Sequence, residues 1–206
     1  MSEFSLLAVV DAGVMEPLIE PLISMFEQDL QCLHIRTGTT NEKDLENLLR
    51  KIPPAYLKRI VLHGHYSLAI RLGLKGIHLT EKAKKDAETL VMLKQAGGLN
   101  VSASFHSLLE LDQNKQSYTY VFLSPVFDSI SKTGTRAAFE YPMLKTFLSA
   151  FKQKENAPKV IALGGIDWNS VLKVSDLGFD GAAVYGALWN AADPVSVFRR
   201  IRDLKY

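Results

Sequence analysis

Several features are scarce in this 206-residue chain, and each scarcity excludes a class of protein. There is one cysteine, so an internal disulfide is excluded. The 24 Lys and Arg residues nearly balance the 22 Asp and Glu residues, and the basic surface typical of nucleic-acid-binding proteins is not expected. No apolar run reaches the roughly 18 residues of a membrane span, and the start Met1-Ser2-Glu3 lacks a cationic signal region. We therefore expect a cytoplasmic protein that acts on a small molecule, without nucleic acid or membrane partners.

Short β-rich apolar runs alternate with stretches of helical spacing along the whole chain, a pattern typical of a parallel sheet. We predict strands over 5–10, 31–37, 59–64, 76–80, 99–104, 118–124, 159–164 and 181–186. We predict helices near 15–28, 41–51, 66–73, 81–96, 107–112, 139–153, 168–176 and 194–203. Eight such units favour an α/β fold, a (β/α)8 TIM barrel forming one domain over residues 1–206. A doubly wound sheet is disfavoured because Val10-Asp11-Ala12-Gly13-Val14 lacks the glycines of a dinucleotide-binding turn.

All five histidines fall at or just past the ends of predicted strands, where a barrel of this kind forms its site. They are His34, His63, His65, His78 and His106. Because side chains alternate along a strand, we expect His34 to share a face with Arg36 and His63 to share one with His65. No His-x-x-x-His motif or clustered carboxylates accompany them, so we predict hydrogen-bonding and packing roles and no metal site. Any one of them remains a candidate acid or base, because imidazole titrates near neutral pH.

Loops after three later strands have the composition of an anion site. The loop after the sixth predicted strand combines several hydroxyls with a lysine, which together suit phosphate oxygens. Glycines follow the seventh and eighth strands, where barrels often bind phosphate through backbone N–H groups. We predict that a phosphate is bound by these loops, which include Ser129, Ser131 and Lys132 and the glycine turns at Gly164-Gly165 and Gly186.

Four segments in order resemble the thiamine phosphate synthase/TenI family, and the similarity extends from the second predicted strand to the last helix. The segments are Leu33-His34-Ile35-Arg36, Ala69 through Leu79, Ser104-Phe105-His106-Ser107-Leu108, and Ser124-Pro125-Val126-Phe127 through Lys132, followed by Ala162-Leu163-Gly164-Gly165-Ile166. The family has two enzymatic branches. The synthase joins hydroxymethylpyrimidine diphosphate to a thiazole phosphate with magnesium, whereas TenI proteins shift a proton to aromatise a thiazole carboxylate phosphate.

The resemblance also implies roles for individual residues. In a synthase, Arg36, Ser104 and Lys132 would face pyrophosphate. In either branch, the thiazole phosphate would be surrounded by Ser129, Ser131, Gly165, Tyr185 and Gly186. His106 would match the histidine implicated in TenI proton transfer, and His34 and His63 complete the expected binding residues.

Departures from the family pattern distinguish the two branches. His63-Gly64 stands where a synthase has Asn-Asp, and Ala83 stands where it has a second aspartate. Magnesium requires hard oxygen ligands, and Glu81, next to the second lost aspartate position, remains a candidate for one of them. We therefore expect a TenI-like thiazole tautomerase with His106 as the proton shuttle and no cofactor. The alternatives are a synthase, which would need Mg2+, and a noncatalytic phosphate-binding or regulatory protein.

The expected partners are a phosphorylated thiazole and, for a synthase, the pyrimidine diphosphate. The oligomeric state is left open.

Overall fold

Eight parallel strands form a closed barrel in a computed structural model of the chain, and their order around the barrel follows the sequence. The structure describes residues 4–95, 97–128 and 137–204. The strands are β1 (Ser5–Asp11), β2 (Cys32–Arg36), β3 (Ile60–Leu62), β4 (Gly76–Leu79), β5 (Asn100–Phe105), β6 (Tyr120–Leu123), β7 (Lys159–Leu163) and β8 (Gly181–Val184). The predicted (β/α)8 fold class is confirmed, and each strand lies where the sequence predicted one.

The described helices follow the strands. They are α1 (Ile19–Glu27), α2 (Glu42–Leu49), α3 (Pro54–Leu57), α4 (Tyr66–Arg71), α5 (Ala87–Gln95), α6 (Leu108–Asp112), α7 (Tyr141–Phe151), α8 (Val171–Asp176), α9 (Gly186–Trp189) and α10 (Pro194–Arg202). None of them combines the length and apolar character needed to cross a bilayer.

The strands are continuous apolar runs because a parallel sheet covered by helices buries both of its faces. Every residue of β3, β4, β6 and β8 is buried. Register is parallel throughout the described pairs: His34 lies opposite Val61 across β2 and β3, and His78 lies opposite Ser102 across β4 and β5. Cys32, the single cysteine, begins β2 and is a buried free thiol, 3% exposed.

Local sequence signals explain where the longer helices begin and which face they bury. In α1, Ile19, Leu22, Met25 and Phe26 recur at helical spacing and are buried. The helix α2 starts after Asn41, whose side-chain oxygen accepts a hydrogen bond from the Asp44 backbone N–H at 2.9 Å. Leu45 and Leu49, four residues apart, form the buried face of α2.

Three local predictions were wrong. No helix was predicted between residues 51 and 59, but Pro54 is the first residue of α3, because the fixed φ of proline suits that position. The helix predicted over 81–96 is divided into a 3-10 turn, Ala83–Lys85, and α5. The strand predicted to reach residue 186 ends at Val184, and Gly186 begins α9.

Contacts group the chain into two compact units. The first comprises the residues up to Leu7 and those from Phe105 onward, and the second comprises Ala8–Ser104. We call them the terminal unit and the histidine unit, and each is described by itself. A single domain over 1–206 stays a prediction.

Candidate functional site

Three of the five histidines meet in the histidine unit. His34 lies within β2, His63 directly follows β3, and His78 lies within β4. The Nδ1 atom of His34 is 2.9 Å from Nε2 of His63, and the rings of His63 and His78 stack with centroids 4.1 Å apart. We call these residues the histidine cluster. The sequence-based expectation that imidazoles gather at strand ends therefore holds for these three.

His78 also connects two serines of β5. Its Nδ1 lies 2.9 Å from Ser102 Oγ, its Nε2 lies 2.9 Å from Ser104 Oγ, and Ser102 Oγ lies 3.3 Å from the Ile77 carbonyl. Each hydrogen has an acceptor when Ser102 donates to Ile77, His78 Nδ1–H donates to Ser102, and Ser104 donates to His78 Nε2. In this arrangement His78 is neutral, and the hydroxyl hydrogen of Ser104 is engaged by the imidazole.

Burial keeps the cluster uncharged. Desolvation lowers the pKa of His34, His63 and His78 well below the usual value for histidine, since a charged imidazole is disfavoured away from water. Neighbouring cations lower these pKa values further: the charge of Arg36 acts on His63, and that of Lys84 acts on His78. The cluster is therefore a set of neutral hydrogen-bonding groups at neutral pH.

The two cations are themselves held by carboxylates. Arg36 Nε lies 3.3 Å from Asp11 Oδ1, with both side chains substantially exposed. Lys84 is 10% exposed, and its Nζ lies 2.6 Å from Glu81 Oε1 and donates to the Ser104 carbonyl at 3.1 Å. Lys84 is thus a largely buried ammonium at the carboxyl end of β5.

His65 does not join the cluster, contrary to the expected shared face with His63. Its backbone has a positive φ of 48°, which breaks the strand alternation on which that expectation rested. Its Nε2 lies 2.8 Å from the Thr40 carbonyl, and its Nδ1 lies 3.8 Å from Glu42. These contacts give His65 a structural role at the start of α4.

His106 lies in the terminal unit, just after β5. Its Nδ1 is 2.9 Å from the Ser124 carbonyl oxygen, and a carbonyl can only accept, so Nδ1 carries the proton. In the neutral ring Nε2 then carries the lone pair, on a side chain that is exposed. A fixed tautomer with an accessible basic nitrogen is what a proton shuttle requires.

Two glycines after β7 pack against the loop after β6. Gly164 and Gly165 have φ values of 97° and 67°, where a side chain is strained. A Cβ on Gly164 would lie 2.9 Å from the Cα of Pro125, and one on Gly165 would lie 2.6 Å from the Cβ of Phe127. The described contacts therefore give both glycines a turn and packing role, while their predicted phosphate-binding role is untested.

The other predicted binding residues divide between two regions. Tyr185 precedes α9 and Gly186 begins it, both in the terminal unit. Ser129, Ser131 and Lys132 lie outside the described residues. The structure therefore brings His34, His63 and Ser104 together around His78, whereas the predicted phosphate loop is described only at its borders.

Comparison with known proteins identifies the family. A family profile described as thiamine monophosphate synthase matches residues 6–188. The chain belongs to the thiamine monophosphate synthase/TenI family.

Relatives of this chain carry the synthase name. A thiamine-phosphate synthase of Lysinibacillus sphaericus is 27% identical over 197 residues, covering 93% of this chain and 88% of the relative. A thiamine-phosphate synthase of Neisseria meningitidis is 28% identical over 147 residues, covering 71% of this chain and 69% of that one. The crystal structure of thiamine phosphate pyrophosphorylase from Bacteroides thetaiotaomicron has a TM-score of 0.76 and 29% identity, covering 97% of this chain and 95% of its own. This chain therefore shares both sequence and fold with proteins of that name.

The magnesium of the family's synthase branch does not fit the residues of the histidine unit. Gly64 and Ala83 stand in place of the two aspartates, and neither has a side-chain ligand atom. His63, which stands in place of the neighbouring asparagine, offers nitrogen to a cation that prefers oxygen. The Glu81 carboxylate is paired with Lys84.

The histidine cluster has the spacing of a possible site for a softer metal, because one ring nitrogen from each histidine lies within 4.8 Å of the others. However, both nitrogens of His78 are hydrogen-bonded to serines, and His34 and His63 bond each other. The absence of a metal site, expected from the sequence, stays a prediction.

Sequence reasoning missed Ser102, His78 and Lys84 as members of this region. His78 was noted among the histidines but not selected as a site residue. The signal for Ser102 was its spacing from Ser104, since residues two apart on a strand share a face. Lys84 had no comparable signal, because it lies in a lysine-rich segment that predicts an exposed, solvated surface.

Proposed function

We propose that this chain is an enzyme of thiamine biosynthesis that acts on a thiazole phosphate, with thiamine phosphate synthesis as the first candidate reaction. The observation that supports it is the synthase name of relatives aligned with up to 98% of this chain. The comparisons favour the synthase over the tautomerase, so the order of preference differs from that drawn from the sequence. The proposed ligands are hydroxymethylpyrimidine diphosphate and the thiazole phosphate.

In this reaction a bond forms between the thiazole nitrogen and the pyrimidine methylene carbon, and pyrophosphate leaves. The residues proposed to face pyrophosphate are Arg36 and Ser104, with Lys132 outside the described residues. Arg36 supplies a positive charge for the leaving group, which stabilises charge as it develops. The residues proposed for the thiazole phosphate are Gly165, Tyr185 and Gly186, with Ser129 and Ser131 outside the described residues.

A TenI-like tautomerase is the second candidate, and His106 is the observation that favours it. Its Nδ1–H is held by the Ser124 carbonyl, which orients a basic Nε2 on an exposed side chain. Proton transfer between two positions of a thiazole carboxylate phosphate requires such a group and no metal. A cytoplasmic location stays a prediction in either case.

One experiment separates the candidates. Purified protein is given the pyrimidine diphosphate with the thiazole phosphate, or the thiazole carboxylate phosphate tautomer alone, each with Mg2+ or with excess EDTA. Thiamine phosphate formation supports the synthase, and accelerated aromatisation in EDTA supports the tautomerase. Binding of the thiazole phosphate without turnover in any arm would contradict both and leave a binding protein.

His106→Asn tests the tautomerase residue. An asparagine amide can still donate to Ser124 but has no basic nitrogen, so we expect aromatisation to fall about 100-fold or more while thiazole phosphate affinity is retained. His65→Asn is the matched control, because His65 bonds the Thr40 carbonyl in the other unit. An equal loss in both variants, or none in His106→Asn, would remove His106 from the proposal.

A further inference from the structure

The histidine unit has an ammonium group beside the position where the family's synthases have their second magnesium-binding aspartate. Lys84 directly follows Ala83, the residue that replaces this aspartate. The Lys84 side chain is 10% exposed and its Nζ donates to the Ser104 carbonyl. Lysine side chains are seldom buried to this extent unless their charge is paired.

We propose that Lys84, together with Arg36, forms a metal-independent binding site for the diphosphate group of a substrate, with the ammonium taking the place of bound magnesium. This inference rests on the proposed synthase function. Its new element is Lys84, to which the family pattern gives no role.

The histidine cluster and Ser104 do not supply positive charge. The histidine cluster is neutral, since burial lowers the pKa of each of its members. Ser104 donates its hydroxyl hydrogen to His78, which leaves the hydroxyl oxygen as an acceptor. A diphosphate near Ser104 must therefore find its cationic partner in a neighbouring side chain, and Lys84 is bonded to the backbone of that serine.

Arg36 provides the second charge. Arg36 lies two residues after His34 on β2 and therefore shares its strand face. His34 bonds His63, whose ring stacks on that of His78 at 4.1 Å. His78 in turn bonds Ser104, the residue whose carbonyl Lys84 binds, so these contacts link the strand face of Arg36 to Lys84. Guanidinium and ammonium groups are the side chains that bind phosphate oxygens most strongly.

The ion pair of Lys84 with Glu81 is exchangeable. The Glu81 side chain is 57% exposed, and an ion pair with a partner so exposed contributes little to stability. A diphosphate carries more negative charge than one carboxylate, so it can displace Glu81 while the bond from Lys84 to the Ser104 carbonyl persists.

The test is calorimetric binding of inorganic pyrophosphate to the full-length chain, in EDTA and in Mg2+. We expect binding in EDTA, with affinity no more than about twofold lower than in Mg2+, since the fixed ammonium supplies the charge. Lys84→Met should weaken binding about tenfold, the loss of one charge-assisted hydrogen bond, whereas Lys84→Arg should retain it. Lys85→Ala is the matched control, because it removes an equal charge from the exposed neighbouring lysine.

Each other outcome contradicts the proposal. Pyrophosphate binding only in Mg2+, or no binding in either condition, would show that the ammonium does not replace a metal. Equal weakening by Lys84→Met and Lys85→Ala would indicate a diffuse charge effect. If Lys84→Met fails to fold, Lys84→Gln with circular dichroism as a check takes its place.

The outcome is separable from the proposed function. Metal-free pyrophosphate binding without thiamine phosphate formation would overturn the function and keep the site. Thiamine phosphate formation that strictly requires Mg2+ would keep the proposed function and overturn the metal-independent site.

Discussion

The two compact units stabilise the carboxyl ends of their strands in different ways. In the histidine unit, buried polar side chains satisfy one another, as in the chain from Ser104 through His78 to Ser102. In the terminal unit, the turn after β7 depends on backbone conformation, with Gly164 and Gly165 at positive φ against Pro125 and Phe127. The comparison teaches that the first region should respond to pH and to loss of hydrogen-bonding groups, and the second to any added Cβ.

Acidification is expected to lower the stability of the folded protein more than any other change considered, through the histidine unit. An unfolded histidine binds a proton at a pKa of about 6.5, whereas the folded cluster has lowered pKa values. The unfolded state then binds more protons, so stability is fully present above pH about 6.5 and is lost as the pH falls below it. Each imidazole lowers the free energy of unfolding by up to about 1.4 kcal/mol for each pH unit below this value. The three together lower it by up to about 4 kcal/mol per pH unit.

Urea unfolding at pH 7, 6 and 5 measures this decline. His34→Leu should flatten it, because one buried titrating group is gone. A free energy of unfolding that stays level or rises toward pH 5 would show that folding does not lower the pKa values of the cluster.

Gly165→Ala tests the terminal unit and should lower the free energy of unfolding by about 3 kcal/mol. The substitution places a Cβ at positive φ and within 2.6 Å of Phe127 Cβ, so both backbone strain and a clash contribute. Gly13→Ala is the control, since a Cβ there meets nothing within 4 Å, and it should change stability by no more than about 0.5 kcal/mol. Similar unfolding midpoints for the two variants in urea would contradict the close packing of this turn.

Ser102→Ala should have a smaller effect and lower the free energy of unfolding by about 1.5 kcal/mol. It removes the acceptor of His78 Nδ1–H in a site where Ser102 is fully buried. Ser67→Ala, at an exposed serine of α4, is the control. Nitrogen-15 NMR of His78 provides a second readout, with Nδ1 protonated in the wild type and the protonated nitrogen changed in Ser102→Ala. If the wild-type proton resides on Nε2, the hydrogen-bond order described above is wrong.

Much of the fold was predictable because parallel strands are encoded by short apolar runs. Val160-Ile161-Ala162 in β7 and Ile60-Val61-Leu62 in β3 show this directly. The short helices α3 and α9 were not predicted, because four residues are too few for helical periodicity to be visible. The break before α5 depends on the turn at Ala83–Lys85, which the lysine-rich sequence does not mark.

For the candidate site, the sequence by itself determined the residue types and their order along the chain. It carries histidines at the strand ends, the family segments, and glycine and alanine in place of the two magnesium-binding aspartates. Only the tertiary structure decided which of these residues meet. His34, His63 and His78 come from three strands and converge through parallel register, whereas the left-handed backbone of His65 sends that side chain to Thr40. The burial of Lys84 also depends on the tertiary structure. Lys84 lies in a polar segment, and its side chain is enclosed because the neighbouring strand β5 supplies the Ser104 carbonyl that its ammonium binds.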